Sequence, residues 1–244
     1  GNKMPIESGF KIVGAHTDSP GLRIRPNGAT SSDGFARLGV EVYGGPILAT
    51  FADRDLSVAG RISFTSNEQI LHKLVHFDQP LLRLPNLAIH MNRGVNEDGL
   101  KFHKQNELPL LWGQLAESQL PQPYWRELLE NAAGVEFNQL ASWDLAIFDT
   151  QKGAFWGANN EFYADSQIDN LASCHAGLNA LLDENVMQHA KSTLVCAFFD
   201  HEEIGSESHI GAAGSFLADV LQRISIALSL DREDTARALA RSFL

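Results

Sequence analysis

Cysteine is nearly absent from this sequence: Cys174 and Cys196 are the only two in 244 residues. A disulfide framework and a Cys-rich zinc knuckle are therefore excluded, and the pair fits packed thiols in a reducing, cytoplasmic setting. Positive charge is scarce as well, with 19 Lys and Arg against 30 Asp and Glu and a formal net charge of -11. That balance argues against binding to phosphate backbones and against anionic membranes. No apolar run approaches the roughly eighteen residues that a membrane span needs, and the first residues lack a basic region followed by an apolar core. Repeats and low-complexity tracts are missing too. What remains is a chain long enough to bury a sizeable core in one large domain or two modest ones.

Two apolar runs stand out as buried strands, Phe10 to Ala15 and Thr193 to Phe199. Between them the texture changes twice. After a polar turn at Asp18 to Gly21, an alternating strand Leu22 to Arg25 is stopped by Pro26, and short β-rich segments follow at Leu38 to Val42 and Leu56 to Phe64. Leu74 to Arg93 alternates apolar and polar residues, and Glu107 to Glu130 is polar and partly helical. From Trp143 the order becomes strand, turn, helix, strand. Asp144 to Phe148 precedes a helix from Ile168 to Glu184, with Leu171, Cys174, Leu178, Leu181 and Leu182 on one face, and a second helix is expected over Gly211 to Arg223. The simplest architecture is an α/β domain that begins with the His16 strand, is interrupted by a β-rich insertion, and resumes near residue 149.

Each buried strand ends in chemistry. His16-Thr17-Asp18-Ser19-Pro20 follows the first, and Asp200-His201-Glu202-Glu203-Ile204-Gly205-Ser206 follows the second. Residues two apart in an extended strand face the same way, so His16 and Asp18 can project together, and Asp18 can accept the bond of the imidazole nitrogen that faces away from a metal. Glu202 and Glu203 are adjacent acids that repel one another unless something positive holds them. Neighbouring residues point in different directions, so one carboxylate can ligate a metal while the other moves protons. Asp169 opens a helix, where its carboxylate reads either as a cap or as a bridge between two metals. An imidazole and several carboxylates at one sheet edge are what metal-dependent hydrolysis requires.

Taken in order, Gly14-Ala15-His16-Thr17-Asp18-Ser19-Pro20, Asp53-Arg54-Asp55-Leu56-Ser57, Pro85-Asn86-Leu87-Ala88-Ile89-His90, Asp169-Asn170-Leu171 and Glu202-Glu203-Ile204-Gly205-Ser206 resemble the aspartyl aminopeptidase family of dinuclear zinc exopeptidases. The resemblance implies a zinc-exopeptidase-like mixed sheet with helices on both faces, interrupted by a β-rich dimerisation domain. It places the catalytic α/β domain at 1–22 and 149–244 and the dimerisation domain at 23–148. It implies that His16 and Glu203 each bind one of two zinc ions, that Asp169 bridges them, and that Glu202 is the general base; Asp18, read from strand geometry, joins Glu202 as a catalytic candidate. His90 matches a histidine that the family supplies across a dimer interface to the substrate. Peptide substrates with N-terminal Asp or Glu are implied in the same way, as is a homo-oligomer of dimers forming a dodecamer.

A ligand count bounds that carry-over. Two zinc ions with about three protein ligands each need about six contacts, of which His16, Glu203 and a bridging Asp169 furnish about four. The resemblance implies that the remaining ligands are an aspartate and a histidine beyond Leu244, and that the chain is incomplete at both ends. His209 and Asp231 are within the chain, but their spacing supports neither as a substitute. Cobalt or manganese suits the same nitrogen and oxygen ligands. Two other readings stand beside the aminopeptidase: a non-catalytic assembly protein around a degenerate metal site, and a related dinuclear zinc deacylase or carboxypeptidase.

Overall fold

In the computed structural model, which describes residues 1–136 and 139–244, the first apolar run is strand β1 (Phe10–His16), preceded by a single-turn helix α1 (Pro5–Ser8). The chain then lays down β2 (Gly21–Ser32), β3 (Phe35–Tyr43), β4 (Leu56–Ser66) and β5 (Gln69–His76). A short helix α2 (Val95–Asp98) is followed by β6 (Leu110–Gln114), α3 (Pro121–Ala133) and β7 (Leu140–Asp149). A hairpin of β8 (Ala154–Trp156) and β9 (Phe162–Ala164) precedes α4 (Ile168–Leu182), α5 (Glu184–His189), β10 (Thr193–Phe199), α6 (Phe216–Ala227) and α7 (Arg232–Ala240). Two compact units result, Gly1–Ser19 with Asp165–Leu244, and Pro20–Ala164. The sequence reading set the junctions after residues 22 and 148, whereas β2 and the β8–β9 hairpin both belong to the second unit.

The first unit is α/β. β1 and β10 pair in parallel, from Phe10 opposite Thr193 to His16 opposite Phe199. Strand alternation gives the pair two faces. On one, Phe10, Ile12, Ala197 and Phe199 form a core with Leu221 of α6 and Ala238 of α7. On the other lies α4, whose buried residues are Cys174 and Gly177. Gly177 sits so close to the strands that a Cβ there would meet Val13 at 3.3 Å and the Cys196 sulfur at 3.7 Å. The approach rests on a missing side chain. Leu171, Leu178 and Leu182, expected on the packed face, are instead exposed along the flank of this small-residue stripe.

The second unit is a six-stranded antiparallel sheet in the order β5-β4-β7-β2-β3-β6. Leu22, Ile24, Leu38, Val40, Val58, Ile62, Leu145 and Ile147 line its core together with Trp125, Leu129 and Ala133 of α3. Pro26 does not end β2 as expected. The strand continues to Ser32 through a register shift between Ile24 and Ala29, an irregularity that accommodates a residue without an N–H. The alternation over Leu74 to Arg93 is strand only as far as His76, after which Leu82 and Leu84 are buried through isolated bridges to Leu56 and Ala52. Among the described residues no helix is long and apolar enough to cross a membrane.

Leu38 is fully buried, so Leu38→Ala is expected to cost about 2–5 kcal/mol in a urea melt. Leu74, 80% exposed on the edge strand β5, is the control: its replacement by Ala is expected to stay within about 0.5 kcal/mol.

Candidate metal centre

Parallel pairing delivers the ends of β1 and β10 to the same place, and short bonds lock them there. Thr17 donates to Phe199 O through its N–H at 2.8 Å and through its hydroxyl at 3.1 Å. Beyond Phe199 the chain turns sharply. His201 takes a left-handed conformation, φ 61, and a single 3₁₀ turn carries Glu202–Ile204. The returning segment packs so tightly that a Cβ at Gly211 would fall 2.2 Å from Ser206 O. That close return is why the helix expected from Gly211 begins only at Phe216.

Asp18 ties the two strand ends together. Its carboxylate is almost fully buried, and its two oxygens accept the N–H groups of Glu202 and Glu203, each at 3.2 Å. The role expected for it, as acceptor for the imidazole, falls mainly to its backbone: His16 Nδ1 lies 3.0 Å from Asp18 O and 3.4 Å from its Oδ1. A carbonyl only accepts, so Nδ1 carries a proton and Nε2 of a neutral imidazole is turned the other way. That nitrogen faces Asp169 Oδ1 at 3.6 Å and Glu202 Oε2 at 3.7 Å. His16, Glu202 and Glu203 each offer a ligand atom within 4.8 Å of the others, the only such trio among the described residues.

A lone pair and several carboxylates converging on one point repel one another unless a cation lies between them. Glu203 bears the effect of this crowding. Burial raises its carboxyl above the ordinary range, repulsion from Glu202 raises it further, and Asp18 and Asp169 add to that against the attraction of His16. One nitrogen and several oxygens are a donor set that fits a zinc-like divalent ion. The residues present therefore suit the metal that the sequence implies.

His16, Asp18, Asp169, Glu202 and Glu203 are thus brought together within one unit. Asp169 has a largely exposed carboxylate, and its carbonyl accepts the Ser19 hydroxyl at 3.0 Å. Its backbone and that of Asn170 are non-helical, so the regular turns of α4 begin after them. His90 is exposed on a loop of the Pro20–Ala164 unit. Asp231 caps α7 by accepting the Asp234 N–H at 2.8 Å, which gives it a structural role. The sequence reading missed Cys174 as part of the site. Its thiol donates to His16 O at 3.1 Å, and burial raises its pKa, which keeps it a donor. Helical spacing marked it as a core position, but nothing in the sequence reveals which carbonyl it reaches.

The family model for the aminopeptidase I zinc metalloproteases (M18) matches residues 1–244. A probable M18 family aminopeptidase 2 from Pseudomonas paraeruginosa is 46% identical over 252 residues, covering 100% of this chain and 55% of the relative. The chain spans about half the length of the curated relatives it matches. Among solved structures, a chain of the Ape4 and Nbr1 complex is 34% identical with a TM-score of 0.87, over 96% of this chain and 47% of that one. The mApe1 dodecamer of S. cerevisiae contains a chain 25% identical with a TM-score of 0.78, over 99% of this chain and 54% of that one.

Asp18→Ala removes the acceptor for two backbone donors at the site, and zinc affinity is expected to fall about 10- to 100-fold in a competitive chelator titration. Asp231→Ala, which removes only a helix cap, is expected to cost about 1 kcal/mol of stability and leave zinc affinity unchanged.

Proposed function

This chain belongs to the M18 family of zinc metallo-aminopeptidases, and on that premise we propose that the protein removes N-terminal residues, Asp or Glu by preference, from peptides at a two-zinc site. The observation that carries this reading is the convergence of His16, Asp169, Glu202 and Glu203 at the joined ends of β1 and β10. Zinc, when bound, supplies the charge that acidifies a water and stabilises the oxyanion developing on the scissile carbonyl. The same ligands accept cobalt or manganese.

The chain's own residues supply the rest. Glu203 is half-buried, which suits a ligand held in one place, whereas Glu202 is exposed, which suits a group that moves. Glu202 takes the proton from the attacking water and returns it to the leaving amine. Its orientation relative to Glu203 is fixed because both backbone N–H groups are anchored on Asp18. His16 keeps Nε2 turned toward the carboxylates because Nδ1 is engaged, and Asp169, whose Oδ1 lies 3.6 Å from Nε2, would help hold the metal.

His90 is proposed to act on the substrate bound by a second copy, as the family resemblance implies. Supporting this, it sits among Leu87, Ile89 and Met91, apolar side chains that are all exposed. The Pro20–Ala164 unit is then the dimerising part of a homo-oligomer. Dimers would assemble as in the mApe1 dodecamer of S. cerevisiae. A cytoplasmic setting agrees with two free cysteines.

Glu202→Gln in the zinc-loaded protein is expected to lower kcat on an aspartyl chromogenic substrate by about a hundred- to ten-thousandfold with zinc content intact. Glu203→Gln is expected to lower zinc content itself. The reverse pattern would exchange the two roles. Turnover of the N-acetylated substrate with none of the free amine would replace the aminopeptidase by a deacylase.

A further inference from the structure

The Asp53-Arg54-Asp55-Leu56-Ser57 motif lies outside the metal site, yet its first residue stands at the foot of the loop that carries His90. Asp53 adopts a left-handed conformation, φ 56. Its N–H donates to Leu84 O at 2.9 Å, and its Oδ1 accepts the Asn86 N–H at 3.0 Å. Arg83 closes the arrangement from the other side, with Nη1 donating to Asp53 O at 2.7 Å and Nη2 paired with Asp55. The backbone of Arg83 exchanges both hydrogen bonds with Leu111 at 2.9 Å, and Leu82 and Leu84 are buried. The foot of the loop is therefore immobilised on both sides.

Beyond Asn86 the character changes. Asn86 Oδ1 accepts the Leu87 N–H at 2.9 Å, and the Met91 and Asn92 N–H groups close a turn on Ala88 O. Leu87, Ile89, His90 and Met91 are exposed. The exposed limb begins just after Asn86, and the side-chain bond that holds the Asn86 backbone comes from Asp53.

We propose that Asp53 is a positioning residue: its carboxylate fixes the exit of the His90 limb, and thereby the reach of His90 toward a substrate held by a second copy. This rests on the reading of His90 given above. Two substitutions separate the carboxylate's bond from its backbone conformation. Gly and Asn both tolerate positive φ, but only Asn keeps an acceptor.

The test uses the full-length, zinc-loaded protein, with hydrogen–deuterium exchange over residues 86–91 beside steady-state kinetics. Asp53→Gly is expected to speed exchange of those amides about tenfold, the consequence of losing one charge-assisted bond. It is also expected to lower kcat/KM toward the level of His90→Ala with zinc content and assembly mass unchanged. Asp53→Asn is expected to restore both readings, and the Asp53→Gly/His90→Ala double variant to be no slower than His90→Ala alone. Arg83→Met, which opens the same foot from the other side, is expected to move both readings in the same direction and serves if Asp53→Gly does not fold. Unchanged exchange in Asp53→Gly, or a double variant well below His90→Ala, overturns the proposal. A His90→Ala variant as active as its parent overturns the His90 reading and the catalytic half of the proposal with it, while exchange still decides whether Asp53 positions the limb.

Discussion

Everything at the metal centre depends on one buried carboxylate. Asp18 and the loop it holds are 184 residues apart in sequence, yet its two oxygens take the N–H groups of consecutive glutamates. Buried carboxylates are stable only when their oxygens are engaged, so the loop and the acid stabilise one another. The parallel register of β1 and β10 brings the two within reach, and the Thr17 bonds to Phe199 O keep the strand ends from fraying. Without that clamp, two adjacent acids would turn outward to water.

The cluster also contains a deliberate imbalance. His16 is one imidazole among four carboxylates, those of Asp18, Asp169, Glu202 and Glu203. A divalent ion bound there would make the conformation of the site answer to metal supply, because binding energy is gained only by the assembled arrangement.

Much of this was legible in the sequence because burial and chemistry alternate on a short length scale there. The apolar run Thr193 to Phe199 is a strand with those limits, and the acids that follow it land at a sheet edge as strand geometry requires. Where reading failed, the deciding contact was distant or the pattern was diluted. Pro26 ordinarily ends a strand, but a register shift opposite β3 absorbs it. The leucines of α4 carry the stronger hydrophobic signal, yet the helix packs through Cys174 and Gly177, whose smallness permits a closer approach. Asp18 was recognised as belonging to the site, but its principal partners are backbone groups, which leave no trace in side-chain identity. Asp53 shows the same limit, since no local pattern announces a bond to Asn86.

Gly177 gives this arrangement a hidden ruler. With hydrogen in place of a methyl group, α4 packs where a Cβ would come within 3.3 Å of the Val13 side chain, and the Cys196 thiol donates to the Gly177 carbonyl at 3.2 Å, holding the helix there. The regular turns of the helix begin just after Asp169 and Asn170, while the strands beneath it end at His16 and Phe199. A methyl group at one remote, uncharged position would press on Val13, beneath the helix that follows Asp169. The packing of that helix on its strands is thus gauged two helical turns from the aspartate, by an atom the chain does without.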